Sequence, residues 1–339
     1  MKIKAILYAL FAAIFYAINV PFSKLLLVHV GETTMAALLY LGAGIGISII
    51  SVFTKERRNN ADRLSRTDLP FVIGMIVLDI AAPIFLMLGI SNGSAANASL
   101  LGNFEIVATT IIALAIFKET VSKRLWLAIG LITLSSILLG IEGIESFSFS
   151  CASLFVLAAT ICWGFENNCT RKISSKSTYE IIILKGVFSG LGALIIAIIK
   201  GEGLPQIKYI GAALLLGFVA YGLSIFLYVR AQSIIGAAKT SAYYAVAPFM
   251  GTFLSFVILK EHLSRMYLVA LSLMIAGSVL VIADTLIRNH KHNHEHTFTH
   301  THDGTTHTHT VTHSHSHNHY FTDSKHGHYH TKQELEKCL

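Results

Sequence analysis

AANASLLGNFEIVATTIIALAIFKE, residues 95–119, and AAKTSAYYAVAPFMGTFLSFVILKE, residues 237–261, decide how this chain is read. Each opens on small residues, runs through a long apolar stretch and closes on Lys-Glu, and the closing glutamates lie 261 − 119 = 142 residues apart. Each stretch is near the roughly 20 residues that one helix needs to cross a hydrocarbon core. One span of this kind is a hydrophobic helix, and two at a fixed interval suggest a duplicated unit.

The rest of the chain is built alike. It has 339 residues, of which 53% are hydrophobic and 13% charged, whereas soluble domains carry about a quarter of their residues as Asp, Glu, Lys and Arg. Apolar runs cover Ala5 to Leu27, Thr33 to Phe53, Leu69 to Ile90, Ala95 to Phe117 and Leu125 to Ile141. After the link Glu142 to Ser150 come Ala152 to Cys169, Ile181 to Ile199, Ile210 to Val229, Ala237 to Leu259 and Met266 to Ala283. The pattern predicts an all-α polytopic membrane protein of ten transmembrane helices, because a helix satisfies its backbone polar groups without water. The first run is too long for the core of a signal peptide and no small-residue cleavage pattern follows Pro21 and Lys24, so it reads as a retained helix.

Basic residues mark cytoplasmic loops. Lys2 and Lys4, then Lys55, Arg57, Arg58, Arg63 and Arg66, then Lys123 and Arg124, then Arg171, Lys172 and Lys176 fall on alternate turns, which puts both termini in the cytoplasm. Lys200, Lys208 and Lys260 run against the trend. The net charge of +7 is thus mostly a topology signal that also favours anionic lipid, not a nucleic-acid footprint. Of the four cysteines, Cys151, Cys162 and Cys169 cluster in or beside the sixth span, Cys338 is distant, and no disulfide is expected.

The duplication extends beyond the opening pair. Tyr16-Ala17-Ile18-Asn19 with Lys24 answers Trp163-Gly164-Phe165-Glu166 with Arg171, and Gly42 and Gly46 answer Gly186 and Gly190, small-residue pairs that let helices approach closely. Five spans per half is an odd number, so the second copy enters the membrane inverted. Residues 1–145 and 146–287 then form two inverted five-helix repeats, an arrangement that suits alternating access around a midplane site.

These residues resemble the EamA-like branch of the drug/metabolite transporter superfamily over about residues 1 to 285. The resemblance rests on Trp163-Gly164 with Arg171, on Ala247-Pro248, on Lys260-Glu261 and on Gly277. It implies a ten-helix carrier of small organic metabolites, often amino acids or related compounds and often moved outward, in the cell membrane of a prokaryote. The first half departs from the pattern, with Tyr16-Ala17 for Trp-Gly and Glu105-Ile106 opposite Ala247-Pro248. The arginine the family carries in span two is absent, and Lys185 lies near the matching place in span seven.

Polar side chains inside spans are costly and mark sites or helix contacts. Asp79 and Glu105 are midspan carboxylates suited to carrying a coupled proton. Asn19 and Glu166 occupy equivalent places in the repeat, Tyr221 answers Asp79 at the 142-residue interval, and Asn103 adds hydrogen-bonding capacity in span four. The expected solute site is therefore Asn19, Asp79, Asn103, Glu105, Glu166 and Tyr221. Asn167 and Asn168 are weaker candidates, and Tyr244 reads first as packing. Pro21, Pro83 and Pro248 each remove a helix hydrogen bond and free a carbonyl. Lys118, Glu119, Lys260 and Glu261 lie at span ends, where charges snorkel or cap neighbouring helices.

Beyond Arg288 the composition changes. Fifteen of the seventeen histidines fall between His290 and His330, separated by Thr, Ser and Asn. Such a segment, residues 288–339, is expected to be disordered. His307, His309, His313, His315, His317 and His319 place many imidazoles together, and imidazole suits zinc, copper and nickel. Transported metal would also need ligands in the bundle, where the best set is Cys162, Glu166 and Cys169 on one helical face. The first reading is a secondary carrier that needs no cofactor; the second is a divalent-metal transporter and the third a non-transporting membrane metal sensor. The chain carries no nucleotide-binding glycine-rich loop or catalytic constellation, which argues against an enzyme.

Overall fold

The computed structural model describes residues 2–53, 63–117, 122–143, 148–173, 176–235, 240, 243–261, 264–302 and 305–320. Lys118, Glu119, Cys338 and the basic residues Lys55, Arg57 and Arg58 lie outside them. Among the described residues, the first compact unit, Met1–Ile282, is helical apart from two short strands. Its helices are α1 (Lys2–Ala17), α2 (Asn19–Leu26), α3 (Glu32–Phe53), α4 (Leu69–Asn92), α5 (Ala95–Leu101), α6 (Phe104–Phe117) and α7 (Lys123–Gly140). The short strands β1 (Ile141–Gly143) and β2 (Ser148–Phe149) lead to α8 (Cys151–Ile173), α9 (Thr178–Ile199), α10 (Ile207–Gly217), α11 (Ser224–Ile235), α12 (Ala247–Leu259) and α13 (Arg265–Leu286).

Among the described residues, eight helical stretches are long and apolar enough to cross a membrane: Ile3–Leu26, Glu32–Phe53, Arg66–Asn92, Ala95–Ile116, Lys123–Gly140, Thr178–Ile199, Ile207–Ala231 and Arg265–Asp284. Two of the expected spans fall short of that measure for different reasons. Helix α8 has 23 residues, but Glu166, Asn167, Asn168, Arg171 and Lys172 crowd its second half. Helix α12 has 13 residues and begins at Ala247-Pro248, where proline without an N–H suits a helix start. The surface agrees with a lipid solvent: Phe53, Ile199, Val77, Ile195, Phe253 and Val269 are all exposed. The interior instead holds Met35, Leu39, Met87, Ile90, Leu100, Ile132 and Met274 beside buried Asn19, Asp79 and Glu166.

Helix α3 packs along α9, α4 along α8, and α1 along α11. The α3–α9 crossing is set by glycine. A Cβ on Gly44 would stand 2.7 Å from the Val187 backbone nitrogen, and one on Gly186 would stand 2.9 Å from the Tyr40 carbonyl oxygen. Gly44 and Gly186 are 186 − 44 = 142 residues apart, the interval that separates Glu119 from Glu261. Gly42 and Gly46 pack against Leu214 and Phe218, while Gly186 and Gly190 meet α3 at Tyr40, Leu41 and Gly44. The role in close packing holds for all four.

Distant carboxylates cap two helices. Glu261 accepts hydrogen bonds from the backbone N–H groups of Ala95 at 2.8 Å and Ala96 at 2.9 Å and from the Ser94 hydroxyl at 2.7 Å, which satisfies the start of α5. This is the capping role open to a span-end charge. Glu202, in the link before α10, does the same for α3: it accepts from the backbone of Thr33 at 3.1 Å and Thr34 at 2.8 Å, and from the Thr34 hydroxyl at 2.8 Å. Burial alone would raise its carboxyl, but the hydrogen bonds from Thr34 and Thr33 and the Lys200 ammonium outweigh it and hold the group down at about 2. A depressed folded-state value stabilises the fold above the unfolded value and loses that effect as pH falls through the folded one. Glu202→Gln is therefore expected to lower the thermal midpoint of the detergent-solubilised protein at neutral pH. It should also flatten the loss of midpoint between about 4.5, the group's ordinary value, and about 2. Parallel pH profiles for the two proteins would contradict the capping account.

The second unit is Ala283–Leu339. Within it, β3 (Ile287–His302) pairs with β4 (Thr305–Tyr320) in an antiparallel register. The reason is legible in the same residues: threonine is a good strand former, and alternation with period two is a strand pattern.

Candidate functional site

Several helix irregularities position the polar residues. Asn19 opens α2 directly after the break that follows Ala17. Glu105 stands in the first turn of α6, after the break at Gly102 and Asn103 that separates it from α5. Tyr221 sits on a π-helical segment, Phe218–Leu223, between α10 and α11, a deviation frequent at functional sites. Asp79 precedes Pro83 by four residues, so the proline lacks the N–H that would bind the Asp79 carbonyl. Pro248 stands in the same relation to Tyr244.

The centre of the arrangement is Lys185 of α9. Its Nζ lies 3.0 Å from Asp79 Oδ2 on α4 and 2.9 Å from Glu166 Oε1 on α8. Tyr40 of α3 donates to Asp79 Oδ1 at 2.9 Å, and the Thr170 hydroxyl donates to Glu166. Trp163 Nε1 reaches the Tyr40 hydroxyl at 3.5 Å. Four helices thus meet at one ammonium and two carboxylates, all buried or nearly so. Glu105 accepts from Asn167 Nδ2 at 2.6 Å and lies within electrostatic reach of Glu166 and Lys185. Two carboxylates therefore share one fixed cation, with the Glu105 carboxyl hydrogen-bonded close by, and buried charge of this kind needs a compensating partner.

On the other side, Asn19 Nδ2 donates to the Tyr221 hydroxyl at 3.0 Å, and Ser23 donates to Asn19 Oδ1 at 3.1 Å. An aromatic wall connects the two sides: ring centroids are 5.3 Å apart for Tyr40 and Tyr221, 6.0 Å for Tyr16 and Tyr221, 6.0 Å for Tyr16 and Tyr244, and 5.1 Å for Tyr228 and Tyr244. Tyr244 packs in this wall, as its first reading had it.

Of the six expected site residues, Asp79 and Glu166 meet at Lys185, Glu105 lies beside them, and Asn19 joins Tyr221. Asn103 stands apart: it is buried and its Nδ2 donates locally to the Leu100 carbonyl at 3.4 Å, within the α5–α6 break. Asn168 likewise serves backbone, donating to the carbonyls of Gly164 at 2.8 Å and Thr109 at 3.2 Å. The Cys162, Glu166 and Cys169 set does not gather as a ligand group: Glu166 is taken by Lys185 and Thr170, and Cys169 packs against an apolar cluster with Val72, Met75, Ile173 and Ile181. Among the described residues no group of three His, Cys, Asp or Glu side chains is placed to hold a metal ion. Tyr40 is the member that sequence reasoning missed, and Lys185, noted near the place of the family arginine, was given no role. A lysine in the middle third of a span was the available signal for Lys185, whereas nothing local distinguishes Tyr40 from other aromatic residues.

The sequence profile of the EamA-like transporter family matches the chain twice, over residues 3–141 and 151–283. The chain belongs to the EamA-like transporter family. EamA proteins form part of the drug/metabolite transporter superfamily, and a multi-pass membrane transporter is the class this assigns. Among EamA-type relatives, an uncharacterized transporter of Methanothermobacter thermautotrophicus is 26% identical over 286 residues, covering 78% of this chain and 82% of its own. The uncharacterized transporter YyaM of Bacillus subtilis is 24% identical over 226 residues, covering 62% of this chain and 71% of its own. A crystal structure of a protein with 14% identity superposes with a TM-score of 0.61 over 84% of this EamA chain and 98% of that one, a likeness of fold.

Proposed function

We propose that the chain is a secondary transporter, working as an exporter, of a small organic solute such as an amino acid or related compound. In this reading ten helices, the eight apolar spans together with α8 and α12, form two inverted five-helix repeats in the cell membrane with both termini cytoplasmic. Alternating access proceeds around Asn19, Asp79, Glu105, Glu166, Lys185 and Tyr221, with Asn103 at the margin. The observation that carries the reading is the ammonium of Lys185 held between Asp79 and Glu166 beside Glu105, with tyrosines on the opposite side. A zwitterionic solute offers an ammonium to the carboxylates and a carboxylate to Lys185, and its entry redistributes the charges that the empty site holds together. Contacts that recur between the halves support the inverted arrangement: exchanging first-half helices for their second-half counterparts turns the α4–α8 contact into the α11–α1 contact and leaves α3–α9 unchanged. The histidine-rich segment binds a transition metal, zinc, copper or nickel, and regulates the carrier without supplying its solute.

The test is uptake and efflux in sealed proteoliposomes with an amino-acid panel and with divalent metals, comparing the intact chain, a chain ended at Asn289, and Glu105→Gln. Amino-acid flux is expected to survive removal of the segment and to fall by about tenfold or more with Glu105→Gln, a change of ~1.4 kcal/mol or more. Metal flux that disappears with Glu105→Gln would replace the organic solute with an ion.

A further inference from the structure

In the hairpin, β3 and β4 pair so that partner numbers always sum to the same value: His290 opposes His317, His292 opposes His315, and His294 opposes His313. In a strand, alternate residues share a face. Every histidine of β3 has an even number and every histidine of β4 an odd one, so the register gathers all these positions on one face, and Thr, Ser, Asn, Lys and Glu, with the Ile287–Tyr320 pair, occupy the other. The face is interrupted at two successive rows, where Val311 opposes His296 and Phe298 opposes His309, and resumes where His300 opposes His307.

We propose that this face is a metal ladder for divalent transition-metal cations of the zinc, copper and nickel type, its main station being the three adjacent cross-strand pairs from His290–His317 to His294–His313. The inference rests on the metal-binding reading of the segment and adds the arrangement to it. Opposed positions in a hairpin stand about 5 Å apart at Cβ, and successive rows on one face about 7 Å apart. Two adjacent rows therefore put four histidine positions on one face of the hairpin within a few ångströms of one another along the backbone, and imidazole is a ligand these cations take. An isolated two-stranded hairpin is marginal in water, so an ion bound across both strands stabilises the pairing as well as being held by it. The Val311 and Phe298 rows divide the ladder, which leaves His300 and His307, with His302 and His309 beside them, as a second and shorter station.

The experiment is calorimetric titration of Zn²⁺ into the full chain in detergent, into the chain ended at Asn289, and into a position-swapped chain. The swap exchanges neighbours in the middle row, His292→Asn with Asn293→His and His315→Ser with Ser316→His. Composition, charge and histidine count stay constant, and no register then restores three adjacent histidine pairs. The intact chain should bind Zn²⁺ in excess of the shortened one, and the swap should weaken its tightest site by about tenfold or more. Equal binding by the swapped and intact chains would overturn the ladder while leaving the segment a chelator by histidine density alone. Binding by the intact chain no greater than by the shortened chain would overturn both.

Discussion

Lys185→Met is expected to abolish transport and to destabilise the protein strongly. The methionine matches the lysine in length but removes the cation shared by Asp79 Oδ2 and Glu166 Oε1, at 3.0 and 2.9 Å. Breaking a buried ion pair by removing one partner costs about 3–5 kcal/mol, because a charge is left without compensation in low dielectric. Here two carboxylates lose the ammonium they share, and the charge pattern a zwitterionic solute would meet is lost with it. The measurement is the thermal midpoint in detergent together with flux in proteoliposomes. Neutralising all three, with Asp79→Asn and Glu166→Gln added to Lys185→Met, should recover most of the midpoint and none of the flux, since polar neutral groups in place of a broken pair leave no stranded charge. A single Lys185→Met chain with unchanged midpoint and flux would show that the ammonium is idle.

Gly186→Leu should be the most disruptive single change outside the charged site. A Cβ there would already stand 2.9 Å from the Tyr40 carbonyl oxygen, on the helix that carries the Tyr40 hydroxyl to Asp79, and the contacting atoms are backbone that cannot rotate away. Overpacking of this kind costs on the order of 3 kcal/mol, and separating α3 from α9 also pulls Lys185 from its place. The control is Gly130, where a Cβ would meet nothing within 4 Å. Gly130→Ala is expected to raise stability by roughly 0.5–1 kcal/mol, as alanine generally does in a helix interior, and Gly186→Ala to lower it. The same sign for both alanine variants would remove the close approach from the account of the crossing.

The helical, membrane-spanning character was legible because lipid imposes a single requirement on every span, and runs such as Leu69 to Ile90 meet it without reference to any other part of the chain. Polar residues inside those runs were legible for the same reason: Asp79, Glu105 and Glu166 are conspicuous against their neighbours. What they bind was not. The Asp79 partners lie 39 and 106 residues away in sequence at Tyr40 and Lys185, and Glu202 caps a helix start nearly half the chain distant. Lys185 was set aside because its value is relational; a lone cation in a span takes its meaning from the two acids that fold around it. Asn103 was legible as polarity within a span, but not its local contact with the Leu100 carbonyl. In the histidine-rich segment, composition speaks for disorder while the strict parity of its histidines carries a strand pattern.

The two sides of the central arrangement differ in chemistry although they correspond in position. Asp79 and Glu166, bridged by Lys185, answer Tyr221 and Asn19, which share one neutral hydrogen bond of 3.0 Å. Were the halves identical, a rocking carrier would visit its two facing states with equal free energy, and only residues that break the likeness could favour one. In the proposed rocking cycle, a charged knot on one side and an uncharged one on the other supply that inequality, so four side chains and a lysine set which way the carrier rests.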